Sequence, residues 1–194
     1  MPSARHRLIL KTVLATLLVL GAGAGAAGLA LLFGGWYNIG ATAQHVPFVY
    51  AVLEEGMTRS VRHHAGAVRV PATGFGEPQQ LRLGARIYRD KCLQCHGGPG
   101  VAQSTIGMSM QPIPGPLVDA TQRWKTRELY WVTRHGIKMS GMPAWEYHLR
   151  EEELWAVVAF VTLLPSLGAP EFREWVAPDR APDGAAPALA GAAP

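Results

Sequence analysis

Cys92-Leu93-Gln94-Cys95-His96 constrains this chain more than any other stretch: two thiols three positions apart, followed at once by an imidazole. Two intervening residues let a single turn of backbone present both sulfurs to one flat ligand. Each sulfur can add to one vinyl group of a porphyrin while the next residue's imidazole reaches the iron, so the spacing reads as a covalent c-type haem attachment site. These are the only two cysteines among 194 residues.

Three other readings use the same pair: a thioredoxin-like dithiol, half of a zinc site, or a disulfide. A catalytic dithiol sits at a strand-to-helix turn, and the flanks here carry no strand pattern. A structural zinc site of this kind needs a second Cys-x-x-Cys, which the chain lacks.

The N-terminus points independently to a membrane. Arg5, Arg7 and Lys11 precede an uncharged apolar run of 22 residues, Thr12 to Phe33. As a helix rising about 1.5 Å per residue it spans about 33 Å, enough for a hydrocarbon core of about 30 Å. No Lys or Arg follows until Arg59, so the positive-inside rule places the N-terminus in the cytoplasm and the rest outside. The competing reading is a cleaved secretory signal, with Ala22-Gly23-Ala24 or Ala24-Gly25-Ala26 as the cleavage site. The apolar run continues past both to Phe33, longer than a signal core. Gly21 with Gly25 and Ala24 with Gly28 form small-residue pairs, which either permit close helix approach or are merely tolerated.

What remains is one small domain with flanks. Net charge is +4, and falls to +1 once Arg5, Arg7 and Lys11 are set aside, so nucleic acid is not implied as a partner. After Pro47, Val49, Leu53, Met57 and Val61 recur four apart, the pattern of an amphipathic helix whose apolar stripe faces either its own domain or a membrane and its proteins. His63 and His64 are expected in solvent. Three further helical patterns follow. Glu77 to Lys91 carries Leu81, Ala85 and Tyr88, with Gly84 allowing close approach. Thr126 to His135 stops at Gly136. Glu151 to Leu164 begins with acidic residues and stops at Pro165. No run alternates as a strand, so the class is all-α. The expected segments are residues 1–11 as a cytoplasmic N-terminus, 12–33 as a transmembrane anchor, 34–75 as a juxtamembrane segment, 76–168 as the haem domain and 169–194 as a Pro/Ala-rich tail.

The haem motif behind Gly84 to Tyr88, the proline-rich Pro112 to Leu117, His135-Gly136-Ile137 with Gly141-Met142-Pro143-Ala144-Trp145, and Leu154 to Leu164 occur in an order that resembles the class I c-type cytochromes, in their membrane-anchored monohaem form. The resemblance covers about half of the chain. It implies one covalently attached haem c, with Cys92 and Cys95 as its thioethers, His96 as proximal axial ligand and Met142 as distal ligand. Met139, Met108 and Met110 are the rivals of Met142, whose neighbours Gly141 and Pro143 suit a loop that approaches the haem closely. A carbonyl within Pro112 to Pro116 is expected to accept the proton of the second His96 nitrogen. Trp124, Trp131, Trp145 and Arg134 are candidates to flank the haem or its propionates, with core packing or solvent exposure as the alternative for each. His135 and His148 are expected at the surface.

The implied function is one-electron transfer rather than catalysis, in a single-pass protein of the bacterial inner membrane with its haem domain in the periplasm. The chain would serve as a subunit of, or shuttle for, a respiratory oxidoreductase complex. Its partners would be redox proteins as donor and acceptor, with the bilayer holding the anchor. The alternatives are a haem c enzyme or gas-sensing protein with a displaceable distal ligand, and an anchored thiol oxidoreductase without haem.

Overall fold

The computed structural model describes residues 3–178, which contain helices and no strand. The chain divides into two compact units at Ala43 and Gln44.

The first unit is α1, Ala4–Gly34, begun by Ser3, whose hydroxyl accepts the His6 N–H, and stopped by Gly35 at φ 64°. It runs eight residues further toward the N-terminus than the apolar stretch from Thr12, because nothing from Ala4 to Lys11 breaks a helix. None of its residues is buried. Among the described residues it is the one helix long and apolar enough to cross a membrane.

The second unit starts with α2, Pro47–His64, opened by a proline at its first position. Its buried residues are Thr58 and Val61, followed by Ala65 in the next turn. The expected stripe therefore holds only at one end: Leu53 is 55% exposed. The later helix Thr126–His135 packs on α2, with Trp131 stacked on His64 at 5.6 Å, and Arg123 reaches Glu54 at 2.9 Å. Phe75 also packs inward, edge-on to Trp155 at 6.1 Å. The packed unit therefore begins before residue 76.

The core is a crossing of α3, Pro78–Ile87, with a later helix, Glu151–Leu163. Gly84 makes the crossing possible, since a Cβ there would fall on the backbone carbonyl of Ala156. Between these two lie four short helices: α4 (Leu93–His96), α5 (Thr105–Met108), α6 (Ala120–Arg123) and α7 (Thr126–His135). The crossing helix is α8, and it buries every residue from Leu154 to Val161. Tyr130 stacks on Trp155 at 3.9 Å, and Tyr88 meets Phe160 edge-on at 5.5 Å.

The tail expected from 169 does not begin there. Ala169–Trp175 form α9, with Phe172 fully buried against Tyr88 and Phe160. Within the Pro/Ala-rich stretch an extended segment is expected only from Val176, with Phe172 and Trp175 able to fasten its beginning to the haem domain or to another subunit. Pro170 lies in the first turn, where it costs no hydrogen bond, and Trp175, 6.0 Å from Phe160, joins Phe172 in the contact with the domain. Residues 179–194 of that segment lie outside the described residues.

Helices α7, α8 and α9 open alike. A glutamate three residues in accepts the backbone N–H of the residue before the helix: Glu128 from Lys125, Glu153 from Arg150 and Glu171 from Gly168, at 2.8 to 2.9 Å. Each satisfies one of the orphan donors at a helix start.

Candidate metal centre

The Cys-x-x-Cys-His stretch is the continuation of α3. A π-helical turn, Tyr88–Cys92, follows Ile87 and inserts one extra residue before α4, rotating everything beyond it relative to the face that packs on α8. Tyr88 anchors the joint. It is fully buried, and its hydroxyl donates to Gly97 O at 2.7 Å. Burial, with a smaller contribution from neighbouring Cys92, raises its phenol well above the ordinary tyrosine range.

Cys92 and Cys95 are both free and half-buried. Burial, then the proximity of Cys95, pushes the Cys92 thiol up to about 12, so it is protonated at neutral pH. That is the opposite of the lowered pKa by which catalytic dithiols work. The His96 ring nitrogen Nδ1 lies 2.8 Å from Gly115 O. A carbonyl only accepts, so Nδ1 carries the proton and Nε2 keeps its lone pair for a metal. Burial lowers the His96 pKa, with the Gly115 bond opposing, so the neutral, ligating form is favoured. The carbonyl expected between Pro112 and Pro116 is thus Gly115.

One loop, residues 97–117, reaches every part of the centre. Ser104 N–H donates to Gln94 O at 2.9 Å, and a Cβ on Gly107 would lie 2.9 Å from the Cys95 Cα. The Gln103 amide donates to Cys95 O at 2.7 Å and also to Pro114 O, tying the motif to the loop that holds His96. Gln103 escaped the sequence reading, since a lone glutamine in a loop carries no periodic or motif signal. Met110 extends the loop to the opposite side, where a Cβ on Gly141 would stand 2.5 Å from its sulfur.

The Met142 loop is closed on itself. Gly136 ends α7 at φ 66°, and a Cβ there would lie 2.6 Å from Met142 O. Ile137 N–H donates to Met142 O at 3.2 Å, and Met142 N–H to Ser140 Oγ at 3.1 Å. Met142 is half-buried. Met139 is 95% exposed at a positive φ of 59°, and Met108 is exposed as well. The turn after the loop is tied back to α7 by Glu146, which takes Arg134 at 3.1 Å and His135 at 3.2 Å. Arg134 also donates to Tyr130 Oη. Its charge is therefore engaged within the protein, and Glu146 is a second residue that sequence pattern did not single out.

The three tryptophans differ in their surroundings. Trp124 packs against the core with Arg123 over its ring at 5.1 Å, Trp131 stacks on His64 at 5.6 Å, and Trp145 faces His148 at 6.0 Å. His64 is exposed as expected, although one face of its ring is covered.

The motif brings two thiols and one imidazole lone pair together, and of the candidate thioethers Met142 and Met110 are half-buried while Met139 and Met108 are exposed. Among the described residues no three His, Cys, Asp or Glu side chains converge to hold a metal ion by themselves. The paired thiols with the adjacent imidazole lone pair fit an iron porphyrin joined through two sulfurs.

Residues 79–161 match the protein-family model described as Cytochrome C oxidase, cbb3-type, subunit III. Neither the comparison with curated proteins nor that with solved structures returns a match. The matched stretch takes in nearly all of α3, the cysteine motif, the loop that holds His96, α7, the Met142 loop and most of α8.

Proposed function

Residues 79–161 form a class I c-type cytochrome domain, a haem c electron-transfer module, and from that premise we propose the role of the whole chain. It is a single-pass protein of the bacterial inner membrane, anchored by α1, that carries single electrons on the periplasmic side as a subunit of, or shuttle for, a respiratory oxidoreductase complex. The basic residues ahead of α1 and the absence of Lys or Arg from Thr12 to Thr58 support that orientation. The matched family's description, an oxidase subunit, supports the respiratory role. Tethering to the membrane replaces a diffusive search for donor and acceptor with a high local concentration.

Cys92 and Cys95 would hold the haem as thioethers, and His96 and Met142 would ligate its iron. When bound, the haem iron supplies the chemistry, alternating between ferric and ferrous by one electron. Gly115 fixes the tautomer and orientation of His96. Met142 offers a soft thioether without a proton, which favours the ferrous state and raises the potential relative to a second histidine. With both sides taken, no position is left for a reactant. The observation that supports this reading most is the His96–Gly115 bond of 2.8 Å, which leaves the Nε2 lone pair available to a metal.

The test is Met142→Ala in the haem-loaded protein. The sulfur-to-iron charge-transfer absorption of the oxidised form should vanish, the midpoint potential should fall, and the reduced form should take up carbon monoxide, while Met139→Ala changes none of these. A Met142→Ala protein that keeps the absorption would displace Met142 from the iron. Ready carbon monoxide binding by the unaltered protein would favour an enzyme or sensor instead.

A further inference from the structure

The opening of α2 has an apolar surface that its own domain leaves uncovered. Pro47 to Leu53 contain no charged residue, and Phe48, Val52 and Leu53 are 76%, 53% and 55% exposed. At 100° per residue Phe48 and Val52 lie about 140° and 180° around α2 from the buried Val61, and about 80° and 120° from Thr58, so they flank or oppose the side that packs on the domain. An all-round apolar segment left in water is unfavourable, and on a helix it marks a surface that something covers.

Two observations say what covers it. Twelve residues, 35–46, separate α1 from α2, and fully extended they reach at most about 40 Å. If α1 crosses the bilayer, the first turn of α2 stays within about 40 Å of the end of that span and can reach the lipid surface. The second observation is charge. Glu54 and Glu55 are engaged by Arg123 at 2.9 Å and Arg59 at 2.6 Å. Arg62, Lys125 and Arg127 line a cleft of about 470 Å³ where α6 and the start of α7 meet Arg62 of α2, together with Glu128, which is buried and accepts the Lys125 backbone N–H at 2.9 Å. Among the described residues none of these three has an acidic partner, and the Arg127 Nε is buried without any hydrogen bond. Three cations without an acidic partner against the one carboxylate of Glu128 leave the cleft positive, and Arg62 stands about 14 Å along α2 from Leu53, a spacing suited to phosphate headgroups above an apolar seat.

We propose that Pro47–Leu53 lie in the interfacial region of the bilayer, with the Arg62, Lys125 and Arg127 cleft taking an anionic lipid headgroup. This rests on the reading of α1 as a membrane span. Because the second half of α2 packs on α7, seating its first half in lipid fixes the tilt of the whole cytochrome domain. The haem is then presented at a set height and angle to membrane-bound partners instead of swinging on a free tether.

The experiment uses the full-length, haem-loaded protein in nanodiscs of phosphatidylethanolamine with phosphatidylglycerol, and in nanodiscs of phosphatidylcholine alone. Spin labels are placed singly at Val52→Cys, at Val19→Cys in α1 and at the exposed Ser166→Cys, and their accessibility to oxygen and to an aqueous nickel chelate is compared. The label at 52 should favour oxygen several-fold more than that at 166, less than that at 19, and more strongly with phosphatidylglycerol present. Arg62→Gln should remove most of that lipid dependence. If 19 is immersed while 52 behaves like 166, the docking proposal is wrong and the anchor stands. If 19 is not immersed, the anchor reading fails and the proposal falls with it. If 52 is immersed equally in both lipids, the headgroup part is overturned and the apolar seat remains. Absorption of the attached haem verifies that each labelled protein is folded.

Discussion

Helices α1 and α8 are both apolar around their full circumference, yet one is wholly exposed and the other almost wholly buried. Periodicity cannot separate them, because neither has a polar face. Length and neighbourhood do. Helix α8 has 13 residues and is enclosed by α3, α7 and its aromatic contacts, so the protein itself serves as its solvent. Helix α1 has 31 residues with no buried one and is long enough to span a bilayer, so in the proposed anchor lipid takes the place that protein takes around α8.

The largest expected effect breaks the comparison at the core. Phe160→Ala, at a fully buried position, should cost about 3–5 kcal/mol. Leu18→Ala, 73% exposed in α1, should stay within about 0.5 kcal/mol in detergent solution. Guanidinium titration followed by haem absorbance measures both, and equal costs would mean that α1 is packed on protein after all.

A smaller effect sharpens the comparison from the lipid side. Leu18→Arg should oppose insertion by about 2.5–3.5 kcal/mol, read as a fall in the haem-stained protein retained by washed membranes. The domain's guanidinium midpoint should not change. Val158→Arg should show the reverse: correct membrane targeting and no folded haem domain.

Acid gives the smallest effect and separates the two helices by their ends. The Arg150 backbone N–H, and then its guanidinium, hold the Glu153 carboxyl at the start of α8 below the usual carboxylate range. A carboxyl that binds its proton less readily when folded stabilises the fold fully above the ordinary glutamate value of about 4.3, and loses that contribution as pH falls through the folded value. Glu146, held low chiefly by Arg134, behaves with the same sign. Helix α1 contains no Asp or Glu. Haem-domain stability should therefore drop modestly in the acid range while the helicity of α1 in lipid stays constant, as circular dichroism of the separate transitions would record.

Several features were legible from local pattern because their causes are local. Helix α7 occupies Thr126–His135, the span expected from its apolar spacing and the stop at Gly136. Gly84 reads as a close-approach residue, and α8 supplies the approaching backbone. The His96 acceptor was placed in the correct five-residue stretch, and Gly115 is the member that serves. Other features depend on partners distant in sequence. Gln103 matters only because the fold brings Cys95 and Pro114 to its amide, and Glu146 because Arg134 and His135 end α7 beside it. In α9 the rings of Phe172 and Trp175 are legible as possible fasteners, but which partners they meet depends on the fold, which sets Tyr88 and Phe160 opposite them.

The bare order of residues determined the attachment chemistry, the all-α class and the long apolar N-terminal segment, because thiol spacing, helix periodicity and uninterrupted hydrophobicity are properties of neighbours along the chain. Only the tertiary structure decided which carbonyl holds His96, which loop joins the two sides of the centre, and that α2 is packed at one end and bare at the other. Those outcomes depend on surfaces meeting across many residues, and no local pattern encodes which surface will find a partner.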